Sequence, residues 1–293
     1  MGTFRSSRLD SLGSAIFAEL NGWIREAEQQ GLDIINLGIG SPDRPPGRHV
    51  IEALGQAAAN PRNYGYPSSV GSIAFRRAAA AWMRHRFGVE LDPEREVLTL
   101  MGSQDGLAHL ALAVTEPGDT ALVPNPGYPV YAAGLALAGV RPHPLPLREE
   151  NGYLPRFEDI PREAADRAKF LLLNYPNNPL SAVADLDFFE RAVAFARRHN
   201  LLLVHDLAYS ELAFDGFRPP SVLEIPGAKE VAVEFHSLSK SFNMAGCRIA
   251  FVAGNADAVG ALRDLKANID YGVFEAVQQA GIAALEADMR GEG

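Results

Sequence analysis

Leu201-Leu202-Leu203-Val204-His205-Asp206-Leu207-Ala208-Tyr209 is a short apolar run that meets a carboxylate near its end. A nearly continuous hydrophobic stretch of this length reads as a strand buried on both faces, the habit of parallel sheets. Five further runs read as strands, at residues 96–100, 120–123, 169–174, 231–236 and 248–253. Helical spacing falls between them, at 72–87, 104–115, 128–138, 186–199 and 256–268, and again at 273–289. This alternation predicts an α/β fold of three layers, α/β/α, with a mostly parallel central sheet. In such a sheet the loops at the strand C-terminal ends form the ligand crevice. Upstream, residues 8–30 carry helical spacing and Gly31 stops it. Residues 33–37 read as a short strand, Gly38-Ile39-Gly40-Ser41-Pro42-Asp43 as a loop, and the proline-rich stretches 42–46 and 142–146 as rigid connections.

The chain has 293 residues, 47% of them apolar, and a net charge of −9 from 27 basic and 36 acidic side chains. That balance suits a soluble globular protein and argues against a general nucleic-acid surface. The single cysteine, Cys247, excludes an internal disulfide and points to a reducing compartment, the cytoplasm. No apolar run approaches the roughly 18 residues of a membrane span, and no signal-peptide core is present. Met1-Gly2-Thr3-Phe4-Arg5-Ser6 fits the loose myristoylation pattern, but no polybasic cluster supports it.

Five groups carry chemistry, each at the end of a predicted strand. Asp206 ends a buried strand, where an unpaired charge is costly. It needs a cationic partner, either a pyridinium nitrogen or a structural salt bridge. Tyr209 follows in the same loop, within reach of a ring hydroxyl. Glu234-Phe235-His236-Ser237-Leu238-Ser239-Lys240 places an amine after the strand at 231–236, with Arg248 further on. A lysine there can form a Schiff base with a carbonyl cofactor. Ser237, Ser239 and the planar fork of Arg248 can hold a phosphate. Gly102-Ser103-Gln104 opens a helix, whose free amides bind phosphate; many strand-to-helix turns carry Gly-Ser simply to turn. Tyr128, in Pro126-Gly127-Tyr128-Pro129, either stacks on a flat ring or packs beside the turn. Asn178, in Asn177-Asn178-Pro179, either donates to a phenolate oxygen or caps a proline turn. Their shared register points to pyridoxal phosphate, an aldehyde with a phosphate tail. Other chemistries lack their motifs: Gly38-Ile39-Gly40 misses the third glycine of a dinucleotide loop. The histidines and lone cysteine form no metal-ligand spacing, so no metal is expected. No Gly-x-Ser-x-Gly elbow occurs.

With these motifs the chain resembles the class I/II aminotransferases, pyridoxal-phosphate enzymes with the aspartate-aminotransferase fold, and within them the branch that acts on LL-diaminopimelate. The match keeps its spacing over nearly the whole chain. The resemblance implies Lys240 as the Schiff-base lysine, Asp206 as the pyridinium partner, and Tyr209 and Asn178 at the ring oxygen. It implies Tyr128 stacked on the ring, and Gly102, Ser103, Gln104, Ser237, Ser239 and Arg248 around the phosphate. Tyr66 would reach the phosphate of a neighbouring subunit, which implies a homodimer, and Gly38 and Ile39 would lie against the substrate. The partners would be an amino acid and a 2-oxo acid such as 2-oxoglutarate, in lysine biosynthesis. Residues 1–45 would be an N-terminal arm belonging to a small domain, and 46–289 the cofactor-binding large domain. The family pattern continues into a C-terminal small domain with an arginine for the substrate α-carboxylate. That arginine has no counterpart before Gly293, so the chain is expected to bind the cofactor and turn over poorly. Its alternatives are a truncated cofactor-binding domain, or another reaction such as β-elimination on the same fold. Two smaller departures are Leu180-Ser181, where Thr-Gly is usual, and Cys247, where a larger residue is common before the arginine.

Overall fold

A computed structural model describes residues 4–12, 16–38 and 40–292. Among these, the strands are β1 (Val97–Leu100), β2 (Thr120–Asn125), β3 (Arg141–Pro146), β4 (Ala168–Asn174), β5 (Leu202–Asp206), β6 (Ala232–Ser237) and β7 (Ala250–Gly254). They form one sheet in the order β1-β7-β6-β5-β4-β2-β3. Every pair is parallel except the two that β7 makes, with β6 and with β1. Six strands therefore point one way and β7 alone is reversed. The helices are α1 (Ile16–Gln29), α2 (Arg48–Ala59), α3 (Ile73–Phe87), α4 (Ser103–Val114) and α5 (Pro129–Ala138), then α6 (Arg162–Arg167), α7 (Leu186–His199), α8 (Leu238–Ser241), α9 (Ala256–Lys266) and α10 (Glu275–Met289).

Successive strand residues face opposite sides, and both sides are covered. Leu171, Leu173 and Leu203 pack with Phe75 and Trp82 of α3, Phe188 and Phe189 of α7, and the α10 alanines. Phe170, Leu172, Val204 and Val233 pack with Leu107 of α4, Leu135 of α5 and Leu262 of α9. This is the three-layer arrangement the apolar runs predict. The helix ends follow local chemistry. Ser72 caps α3 by accepting the Phe75 amide, Asp185 caps α7 by accepting the Phe188 amide, and Gly88 and Asn200 end these helices in the left-handed region. Helices α4 and α9 are joined by Lys266, which is 1% exposed and ion-paired with both Asp105 and Asp270. No helix among the described residues is long and apolar enough to cross a membrane.

Two stretches depart from the sequence reading. Residues 33–37 form no strand; Ile35 and Leu37 are 83% and 90% exposed, so apolar composition there finds no sheet to join. The proline-rich connection at 142–146 is instead the edge strand β3. Arg141 and Leu147 donate their amides toward the β2 side, to Asp119 and Asn125. Pro142, Pro144 and Pro146 take the alternate positions, where an amide would point away from the sheet and none is needed.

Candidate active site

The C-terminal ends of the six co-directional strands share one edge of the sheet, where open α/β sheets hold ligands. Reversed β7 begins at that same edge, which brings Arg248, two residues before it, to the groups at the other strand ends. The result is a cavity of about 430 Å3, within the range of roughly 300–1,000 Å3 usual for small-molecule sites. Lys240 and Asp206 both line it.

Asp206 ends β5, in register with Asn174 of β4 and Phe235 of β6. Asn174 Nδ2 donates to the Asp206 carbonyl at 2.8 Å, and Asn174 Oδ1 accepts the Asn178 amide at 2.8 Å. The Asp206 side chain is 4% exposed. Its Oδ2 accepts the Tyr131 hydroxyl at 2.7 Å, whereas its buried Oδ1 has no hydrogen-bond partner. Burial pushes the carboxyl above the usual aspartate range, against the opposing pull of the Tyr131 bond and nearby His205. A buried acceptor without a donor is costly to leave, and a protonated ring nitrogen is its chemical complement.

Lys240 stands in α8, directly after β6, and its Nζ donates to the carbonyl of Gly40. Burial, then the guanidinium of Arg248, lowers the lysine below its ordinary range. That favours the neutral amine, the form that attacks a carbonyl. Ser237 caps α8 by accepting the Ser239 amide at 3.2 Å, and both serines are buried. Arg248 has left-handed backbone, with φ 54°, and its guanidinium lies against Gly102. Gly102 itself has φ 82° and opens α4 without a side-chain cap. The start of α4 at Ser103 and Gln104, the two serines and the guanidinium thus gather at the cavity, a donor set suited to a phosphate.

The Tyr128 hydroxyl donates to Gln104 Oε1 at 2.9 Å. Tyr209 is hydrogen-bonded to the Asn178 side chain; burial, then the charge of Asp206, raises its phenol. Gly38 lines the cavity, and Ile39 lies outside the described residues. Tyr66 stands apart: it is 93% exposed, with its ring edge-on to Tyr271 at 5.4 Å.

The sequence reading does not single out Tyr131, Asn174 or Glu234. Tyr131 follows Tyr128 by one helical step of three and is the polar residue of an apolar helix, which is a usable signal. Asn174 shares its strand-end position with Asp206, another signal. Glu234 lies on the opposite face of the sheet from Asp206 and is fully buried. It accepts His205 Nδ1 and His236 Nε2, each at 2.7 Å, the Ser221 hydroxyl at 2.6 Å and the Val222 amide at 2.9 Å. Burial opposes its charge, yet these donors hold the carboxyl far below the usual glutamate range.

The residues fit pyridoxal phosphate. They offer a carboxylate oxygen in need of a cationic donor, an amine of lowered basicity, an anion-binding corner and polar groups for a ring oxygen. Residues 32–292 match the family model described as aminotransferase class I and II. The LL-diaminopimelate aminotransferase of Desulforudis audaxviator is 53% identical over 291 residues, covering 99% of this chain and 74% of that relative. Among solved structures, substrate-bound BacF of Bacillus subtilis matches with a TM-score of 0.94 at 42% identity, covering 100% of this chain and 74% of that one. An aspartate aminotransferase variant of Thermus thermophilus matches with a TM-score of 0.91 at 27% identity, covering 98% and 74%.

Proposed function

The chain belongs to the class I and II aminotransferases, a family of pyridoxal-phosphate-dependent transferases, and we propose that it moves the amino group of LL-diaminopimelate to a 2-oxo acid such as 2-oxoglutarate. The observation that carries this reading is the convergence of Lys240 and Asp206 on one cavity, with Asp206 Oδ1 buried and lacking a donor. The choice of amino donor rests on relatives named for that substrate.

Pyridoxal phosphate, when bound, supplies an aldehyde for amine exchange and a ring that withdraws electrons from the substrate α-carbon. Asp206 would pair with the ring nitrogen and favour its protonated form. Tyr128 would lie against the ring, and Tyr209 and Asn178 would hold its oxygen. Gly102, Ser103, Gln104, Ser237, Ser239 and Arg248 bind the phosphate. Lys240 would hold the cofactor through its Nζ and, as an amine of lowered basicity, would carry a proton from and to the substrate. Gly38, which lines the cavity, would border the substrate. Tyr66 serves the phosphate of a second subunit in a homodimer; the exposed rings of Tyr64, Tyr66 and Tyr271 support that face as the contact. The protein works in the cytoplasm, in lysine biosynthesis, which its single cysteine suits.

Borohydride reduction of the cofactor-loaded protein followed by peptide mapping tests the assignment. The label is expected on Lys240; a label on any other lysine refutes it. Incubating the loaded protein with LL-diaminopimelate, with and without 2-oxoglutarate, separates transfer from elimination. Keto-acid release that needs no acceptor would point to elimination.

A further inference from the structure

The two side-chain oxygens of Asp206 differ in their partners. Oδ2 accepts the Tyr131 hydroxyl at 2.7 Å, and Oδ1 is left buried and without a donor. Tyr131 is 5% exposed and stands in the first turn of α5. Burial, then the Asp206 charge, raises its phenol well above the ordinary range, so the hydroxyl stays a donor throughout the working pH range. Its ring also meets that of Tyr128 edge-on, with centroids 5.8 Å apart. Asn174 bonds the Asp206 main chain and not its carboxylate, on which the Ala208 amide also acts. His205 belongs to the opposite face of the sheet, where Glu234 and the Tyr175 carbonyl engage it. The carboxylate can therefore be oriented from the α5 side.

We propose that Tyr131 is a positioning residue that occupies Oδ2 of Asp206 and so presents Oδ1 to the ring nitrogen of the cofactor. This rests on the reading of Asp206 given above. It makes affinity for the cofactor depend on Tyr131 only when the ring carries a nitrogen.

The test uses the cofactor-free protein, titrated spectroscopically with pyridoxal phosphate and with its 1-deaza analogue, in which carbon replaces the ring nitrogen. Wild type is expected to prefer the natural cofactor. Tyr131→Phe is expected to weaken pyridoxal phosphate about tenfold, the scale of a hydrogen bond to a charged group, and to leave the analogue within about twofold. An equal loss on both ligands, or no loss on either, overturns the proposal. Asp206→Asn, run beside it, separates the two levels. If the asparagine variant loses the preference and Tyr131→Phe keeps it, the inference about Tyr131 fails alone. If wild type shows no preference, or Asp206→Asn retains it, the reading of Asp206 fails and the inference with it. Should Tyr131→Phe not fold, Tyr131→Met removes the same hydroxyl and is judged by the same outcomes.

Discussion

The Arg248 guanidinium fills the space that a side chain at Gly102 would take: a β-carbon there would fall 2.8 Å from Arg248 Cζ, so the guanidinium would have to move. The glycine also holds φ 82°, which other residues adopt at a cost. Gly102→Ala is expected to displace the guanidinium and weaken pyridoxal phosphate at least tenfold, the scale of one lost charge-assisted bond. Pyridoxal, which lacks the phosphate, should lose almost nothing. Titrating both ligands checks this, and equal losses would show that Arg248 does not serve the phosphate.

Asp206 should make the cofactor-free protein less stable at neutral pH than its uncharged variant. Burial raises its carboxyl above the ordinary value of 3.8. A carboxyl raised on folding contributes stability below its unfolded value and loses that contribution as pH rises through the folded one. Above that window the ionised, half-unpartnered group is a burden. Asp206→Asn is therefore expected to stabilise the cofactor-free protein at pH 7 by about 1–2 kcal/mol while abolishing transfer. Urea unfolding at pH 7 reads the sign, and a less stable asparagine variant would contradict it.

Asp105 behaves in the opposite sense. Burial pushes its carboxyl up, but bonds from His109 and Lys266 outweigh this and lower it from 3.8 to about 2. Its contribution is present above the unfolded value and is lost as pH falls through the folded one. Asp105→Asn should cost about 2 kcal/mol at pH 7, on top of any penalty for the buried Lys266. The charge-dependent part should vanish near pH 2, so the gap between variant and wild type narrows as acid is added. A gap independent of pH would assign the loss to packing alone.

Glu234→Gln strands a buried set of donors. The carboxylate accepts four hydrogen bonds, two of them from histidines. Breaking a buried charged arrangement on one side typically costs about 3–5 kcal/mol. Thermal unfolding of the glutamine variant should show a loss of that size, and a change below about 1 kcal/mol would mean the network is dispensable.

Six of the seven strands were legible because a strand buried on both faces is apolar along its whole length. β3 was not, since an edge strand tolerates prolines that read as breaks. Residues 33–37 misled for the converse reason: apolar side chains specify a strand only where a neighbour completes the ladder. The polar groups of the site were legible because Asp206, Asn178 and Lys240 each interrupt or follow an apolar run. Tyr131 was hidden because its meaning lies in a partner 75 positions away. Glu234 was hidden because nothing in a linear string distinguishes a strand residue facing two histidines from one facing solvent. Tyr66 was assigned by resemblance alone, and it stands on an exposed aromatic face apart from the cavity.

The outer margin of the sheet has a consequence beyond this one molecule. Along Pro142, Pro144 and Pro146, β3 shows carbonyls to the outside and no amides. An extended segment arriving from another chain finds only half of the pairing it would need there. The other margin, β1, is four residues long. Among the described residues, strand pairing with another copy is thus discouraged at both borders of the sheet.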